Sequence, residues 1–220
     1  MLRSRRSAFV IGLVPVLALA AQFAAAQDIA PDVLVKSISE EVVAAITRDK
    51  DAMAGNKEAV GALVESKILP HFNFARMTRI AMAANWRRAA VEQQARLTSE
   101  FRALLVHTYS GALTAYRNQP IVVRPLRAQP GDTEVTVRSE IRQSGAAPIS
   151  IDYSMEKGPS GWKVYDVKIS GISLTTTYRD TFAEEIRNHG VEGLIRLLAG
   201  KNRLNDAKRV SIRAQDSKAG

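Results

Sequence analysis

The chain has 220 residues, 46% of them hydrophobic and 24% charged, with a formal net charge of +9 and no cysteine. That length suits one domain of ordinary size with a substantial core, and the missing cysteines exclude disulfides, thiolate metal sites and a lipid-modified N-terminal cysteine. The charge is unevenly placed: three bases fall in the first six residues and six bases against two acids in 201–220, so the stretch between is only about +2, too little to point to nucleic acid.

Residues 1–26 read as an export signal. Arg3, Arg5 and Arg6 make a basic start, Ala8 to Ala21 is uncharged and apolar, and Ala24-Ala25-Ala26 offers small residues for cleavage before Gln27. The apolar run contains Pro15 and falls short of the about 20 residues of a membrane-spanning helix. Ser4-Arg5-Arg6 also suggests a twin-arginine signal, but the residues after it fit that motif poorly, and ordinary secretion is the expectation. The expected organisation is a cleaved signal peptide (1–26), a single domain (27–202) and a basic, flexible tail (203–220).

Val35, Ile38, Val42 and Ile46 recur at steps of three and four, which predicts a helix over 32–46. A second helix is predicted over 57–69, with Val60, Leu63, Val64 and Ile68 inward and Pro70 ending it. Asn73 is placed to cap a helix carrying Phe74, Met77 and Ala81. The longest periodic run is 91–116, with a stripe of Leu97, Phe101, Leu104, Leu105, Tyr109, Leu113 and Tyr116, stopped by Asn118-Gln119-Pro120.

Beyond Pro120 the period falls to two. Val135, Val137 and Ile141 alternate with polar residues, as do Ile149, Ile151, Tyr153 and Met155, giving each strand one apolar and one wet face. Turn residues at 129–132, 144–148 and 157–161 link a meander of about four strands. The strand 162–169 is apolar on both parities, so it is either buried on both sides or bent at Gly171. Tyr178, Phe182 and Ile186 mark a helix ending at Asn188-His189-Gly190, and Val191, Leu194, Ile195 and Leu198 a last one ending at Gly200. Helices, then sheet, then helices give an α+β fold.

Nothing in this order announces catalysis. His71, His107 and His189 stand apart, without the spacing of a metal site, and no nucleophile elbow, phosphate loop or nucleotide fingerprint appears. Asp166 shares parity with Trp162 and Val164, where an acid needs a partner; an ion pair with an arginine such as Arg179 is the expectation, with a general base as the alternative.

Two blocks carry a resemblance. The first runs through Pro70-His71-Phe72-Asn73-Phe74-Ala75-Arg76-Met77, Asn85-Trp86-Arg87-Arg88-Ala89, Glu100-Phe101-Arg102-Ala103-Leu104-Leu105 and Thr108-Tyr109. The second comprises Ile151-Asp152-Tyr153, Gly161 to Val167, Gly171-Ile172-Ser173-Leu174, Tyr178-Arg179, Phe182 and Gly190 to Ile195. From about Asp32 to Asn202 the chain resembles the periplasmic phospholipid-binding components of the Mla pathway, also called the toluene-tolerance auxiliary family. It departs from many relatives at Asn73, where they have aspartate, and at Ala83-Ala84, where a glycine often stands.

The resemblance implies a nuclear-transport-factor-2-like fold, in which helices and a curved antiparallel sheet enclose an apolar cavity. It also implies a non-catalytic periplasmic carrier, with no cofactor beyond its phospholipid cargo. Such a carrier exchanges lipid with an outer-membrane lipoprotein complex and with the lipid-binding ring of an inner-membrane ABC transporter, and so helps keep the outer leaflet free of phospholipid. A monomer is expected. For contact with the acyl chains the inward residues are Phe101, Leu104, Leu105 and Tyr109 of the long helix, Val137, Ile141, Ile151, Tyr153, Met155, Trp162 and Val164 of the sheet, and Tyr178 and Phe182. Periodicity alone does not distinguish a pocket from a filled core.

Overall fold

The computed structural model describes residues 29–114, 119–129 and 131–219. The signal segment and Tyr116, the end of the long stripe, lie outside them. Six helices and one antiparallel sheet make the predicted α+β architecture. Helix α1 (Pro31–Arg48) begins with proline in its first turn, where no amide partner is lost, and buries Val35, Val42 and Ile46. Asp49 closes it and caps the short α2 (Lys50–Met53), and Asn56 caps α3 (Lys57–Leu63) in the same way. The helix predicted over 57–69 does not stay α-helical. At Val64–Ile68 it widens into a π-turn, followed by a 3₁₀ turn containing Pro70.

Asn73 caps α4 (Phe74–Met82) as expected, its side-chain oxygen accepting the Arg76 amide at 3.0 Å. The helix ends on Ala83, at φ 50° and ψ −128°. That region suits glycine, so the alanine carries backbone strain at the position where the resembling family often has glycine. Helix α5 (Val91–Thr114) is the long one.

The sheet has five strands rather than about four: β1 (Ile121–Val123), β2 (Glu134–Ile141), β3 (Ile149–Gly158), β4 (Gly161–Ile169) and β5 (Ile172–Ser173), paired in that order. With three and two residues, β1 and β5 are too short to show alternation in sequence. The two-sided apolar pattern of β4 comes from a bulge. Ser154 pairs with Asp166 but Met155 with Val164, which leaves Tyr165 as an extra residue. Trp162 and Val164 therefore share the inner face with Val167 and Ile169 despite opposite parity.

The bulge resolves Asp166 as well. It is buried, and it accepts hydrogen bonds from the Thr175 amide (3.1 Å) and hydroxyl (2.9 Å). The expected pairing with Arg179 is not found: the Arg179 Nε donates to the Ile80 carbonyl at 3.3 Å. A hydroxyl and an amide suffice because the residue behind β5 folds back over the carboxylate.

Helix α6 (Arg179–Ala219) contains both predicted terminal helices, divided by Gly190 at φ 69° and ψ 179°. It does not stop at Gly200. The expected flexible tail is helical through Ala219, since 201–219 holds no proline or glycine and is rich in good helix formers. Asn202 fastens its start, donating to the Glu100 carbonyl (2.9 Å) and carboxylate (2.7 Å).

On the outer face, Arg76 joins α4 to the sheet. Its guanidinium lies 3.6 Å from the Tyr165 ring centroid, bonds Glu156, and reaches Glu134 at 2.7 Å. The Asn73 amide also donates to Glu156, at 2.7 Å, and the Tyr165 hydroxyl to Glu134, at 3.1 Å. Hydrogen bonding from Arg76 holds the Glu134 carboxyl below its ordinary range, and burial, aided by Glu134, pushes the Tyr165 hydroxyl up. A depressed carboxyl stabilises the fold above its unfolded pKa and loses that contribution as pH falls through its folded one.

Two stability measurements follow. Replacing Arg76 by Met should cost about 2 kcal/mol in urea unfolding at neutral pH, and the deficit should shrink in acid as Glu134 protonates; an undiminished deficit contradicts the electrostatic account. Ala83→Gly should raise stability by about 1 kcal/mol by relieving the positive φ, and a lower melting temperature contradicts it.

Candidate functional site

The buried apolar residues form three clusters instead of one. Met77, Leu97, Phe101, Leu104, Phe182 and Leu194 join α4, α5 and α6; Val35, Val137, Met155, Trp162, Val164 and Val167 cover the inner face of the sheet; Val42, Ile46, Val60 and Val64 join α1 to α3. Where the three approach one another the interior is open. A cavity of about 400 Å³ lies there, within the range of small-molecule pockets.

Its walls come from every layer. The π-turn and the segment after it contribute Val64, Ile68, Leu69 and Phe72, α4 contributes Phe74 and Met77, and α5 contributes Leu105, Val106, Tyr109, Ser110, Ala112 and Leu113. The sheet adds Ile141, Ile149, Ile151, Tyr153, Val167 and Ile169, with Leu174 beyond it. Widening of the helix at 64–68 is what turns Val64, Ile68 and Leu69 together toward the sheet. Many of these wall residues keep some accessible surface although they lie on inward faces, because that surface belongs to the hole.

Among the described residues no charged side chain lines the cavity. The Ser110 hydroxyl donates to the Val106 carbonyl at 2.6 Å. Burial first, then the neighbouring Tyr178, pushes the Tyr109 hydroxyl pKa up. Burial likewise raises that of Tyr153, partly offset by a hydrogen bond with Ser139. Both phenols therefore stay neutral, offering hydrocarbon more than a charged grip. Gln119 and Gln143 stand at one end, where Gln143 and Ala112 are exposed. The mouth accordingly lies between the C-terminal end of α5 and the hairpin that joins β2 to β3.

Of the residues expected to touch acyl chains, Leu105, Tyr109, Ile141, Ile151 and Tyr153 line this cavity. Phe101, Tyr178 and Phe182 instead stack on one another behind it, Phe101 meeting each of the other rings edge-on at 5.1 Å, with Leu104 in the same cluster. Val137, Met155, Trp162 and Val164 are packed solid, since Val35 of α1 and Phe72 fill that end of the sheet. Sequence reasoning passed over Ile149, although its alternation with Ile151 shows it, and over Val167 and Ile169, hidden by the bulge. Nothing in the sequence announces a π-turn.

Asp166 is held by Thr175 and is not among the wall residues. Among the described residues no three His, Asp or Glu side chains gather where they could hold a metal ion, and no helix is long and apolar enough to cross a membrane.

Comparison with known proteins gives one consistent answer. A family model described as "MlaC protein" matches residues 36–200. The toluene tolerance protein ttg2D of Pseudomonas putida is 26% identical over 177 residues, 80% of this chain and 79% of that protein. The intermembrane phospholipid transport system binding protein MlaC of Haemophilus influenzae is 24% identical over 171 residues, 76% of this chain and 80% of its own length. Among solved structures, the phospholipid-binding protein from Ralstonia solanacearum, in complex with a phospholipid, superposes with a TM-score of 0.72 at 42% identity, over 80% of this chain and 98% of the other. With a family match across most of its length and an α+β frame shared with a phospholipid-bound relative, this chain belongs to the MlaC family.

Proposed function

We propose that the chain is a periplasmic phospholipid carrier of the Mla pathway, non-catalytic, exported on a signal peptide cleaved after Ala26. The observation that carries this reading is a cavity whose described walls are apolar and carry no charged side chain, in a chain 42% identical to a protein whose structure is in complex with a phospholipid. Exposing two acyl chains of some thirty methylenes to water costs on the order of 20 kcal/mol at about 0.8 kcal/mol per CH₂. A pocket of this kind removes most of that barrier while the headgroup remains at the mouth in water.

Membrane and pocket both shield the tails, so transfer is a near-balanced exchange and its direction comes from partners. Those partners are an outer-membrane lipoprotein complex on one side and the lipid-binding ring of an inner-membrane ABC transporter on the other. Support for them is the family alone.

Solvent extraction of the purified protein followed by mass spectrometry tests the cargo: phospholipid is expected, and repeated preparations without lipid, or with hopanoid in its place, refute the reading. Leu105→Glu and Tyr153→Glu place a charge on the wall, where water entering an emptied cavity can solvate it. Both proteins should fold by circular dichroism yet carry little lipid, and full lipid retention sinks the assignment. Phe101→Ala, behind the wall, should instead cost about 3–5 kcal/mol of stability. Removal of bound lipid from the parent protein should lower its melting temperature, since a ligand that binds only the folded form stabilises it; an unchanged melting temperature argues against the cavity as its seat.

A further inference from the structure

Helices α5 and α6 run in the same direction. Contacts climb both together: Arg96 with Glu192 at 2.8 Å, Glu100 with Asn202 at 2.9 Å, and His107 with Asp206 at 3.4 Å. Asn205 and Lys208 then share a groove with Ser110 and Gly111. The C-terminal turns of α6 are therefore carried toward the end of the molecule where α5 stops at Thr114, the end that holds the cavity mouth. From Lys208 to Ala219 the helix continues for about 18 Å at 1.5 Å per residue. The family match ends at residue 200, before this extension begins.

The extension is strongly basic. Residues 201–220 hold Lys201, Arg203, Lys208, Arg209, Arg213 and Lys218 against Asp206 and Asp216, a net +4. Lys201, Arg203 and Lys208 are exposed, and so are the apolar Leu204 and Val210. Asn202 and Asp206 face α5, and Leu204 lies on the side away from it. A helix so placed combines net positive charge with exposed apolar side chains, and positive charge of this kind is drawn to the surface of an anionic bilayer.

We infer that the C-terminal extension of α6 is a membrane-docking element, which holds the cavity mouth against anionic phospholipid headgroups while lipid is exchanged. The choice of occupant rests on charge complementarity and on the shared direction of the basic helix and the mouth. The meaning of the docking, though not the docking itself, rests on the carrier reading above.

Flotation with vesicles of phosphatidylcholine, with and without phosphatidylglycerol, tests it. The mature protein should bind only the anionic vesicles, and less as salt is raised. A variant carrying K208Q, R209Q, R213Q and K218Q should bind them about a hundredfold or more weakly, at roughly fivefold per base, while retaining its circular dichroism spectrum and its copurified phospholipid. Equal binding by parent and variant, or equal binding to neutral vesicles, overturns the inference. Failure of the parent to bind anionic vesicles at low salt overturns it too, in favour of an acidic protein surface as the partner. A protein that binds vesicles through the extension but never carries lipid would sink the carrier reading and leave the docking element standing.

Discussion

The structure depends on keeping apolar surfaces apart. Its three clusters would gain by collapsing onto one another, and at about 24 cal/mol per Å³ a space of some 400 Å³ would cost up to about 10 kcal/mol if it were sealed and dry. That is comparable to the whole stability of an ordinary domain, about 5–15 kcal/mol. A chain that leaves such a hole needs either an occupant or a frame stiff enough to resist closure, and this one has the means for both.

The frame is polar and lies outside the hole. Arg76 pins α4 against β2, β3 and β4 through Glu134, Glu156 and Tyr165. The Asn73 amide donates to the Val164 carbonyl at 2.8 Å, tying the entry of the same helix to the sheet. Asp166 and Thr175 fasten the far edge, and Asn202 and Glu100 hold α6 to α5. These contacts are directional, so they fix the spacing between layers at lengths that non-directional packing would not choose. The apolar residues are thereby free to form a wall instead of a core.

Much of the frame was legible from period and punctuation. Asn73 as a cap, the stripe from Leu97 to Leu113, the alternation from Ile149 to Met155 and the break at Gly190 each follow from local rules that tertiary contacts did not override. What escaped was decided by contacts distant in sequence. Phe101 and Leu105 occupy one stripe, yet one is packed against Phe182 and the other faces the cavity, a difference set by where α6 crosses. Trp162 and Val164 follow the inward pattern, but α1 fills the space before them. The helicity of 201–219 escaped for another reason: a basic stretch without an apolar stripe reads as a flexible tail, yet a helix that continues past its neighbours needs no such stripe.

The bulge at Tyr165 also decides which residues of β4 face the cavity. Were the same residues paired without the bulge, every position beyond Tyr165 would turn over, exchanging Val167 and Ile169 on the cavity wall for Asp166 and Lys168 and bringing charge to the lining. With it, one strand presents two apolar parities to one interior, and a ring and hydroxyl to Arg76 and Glu134 outside. The electrical neutrality of the described cavity wall thus hangs on the one residue by which β4 outruns β3 between Val164 and Asp166, a property of the pairing that no single side chain possesses.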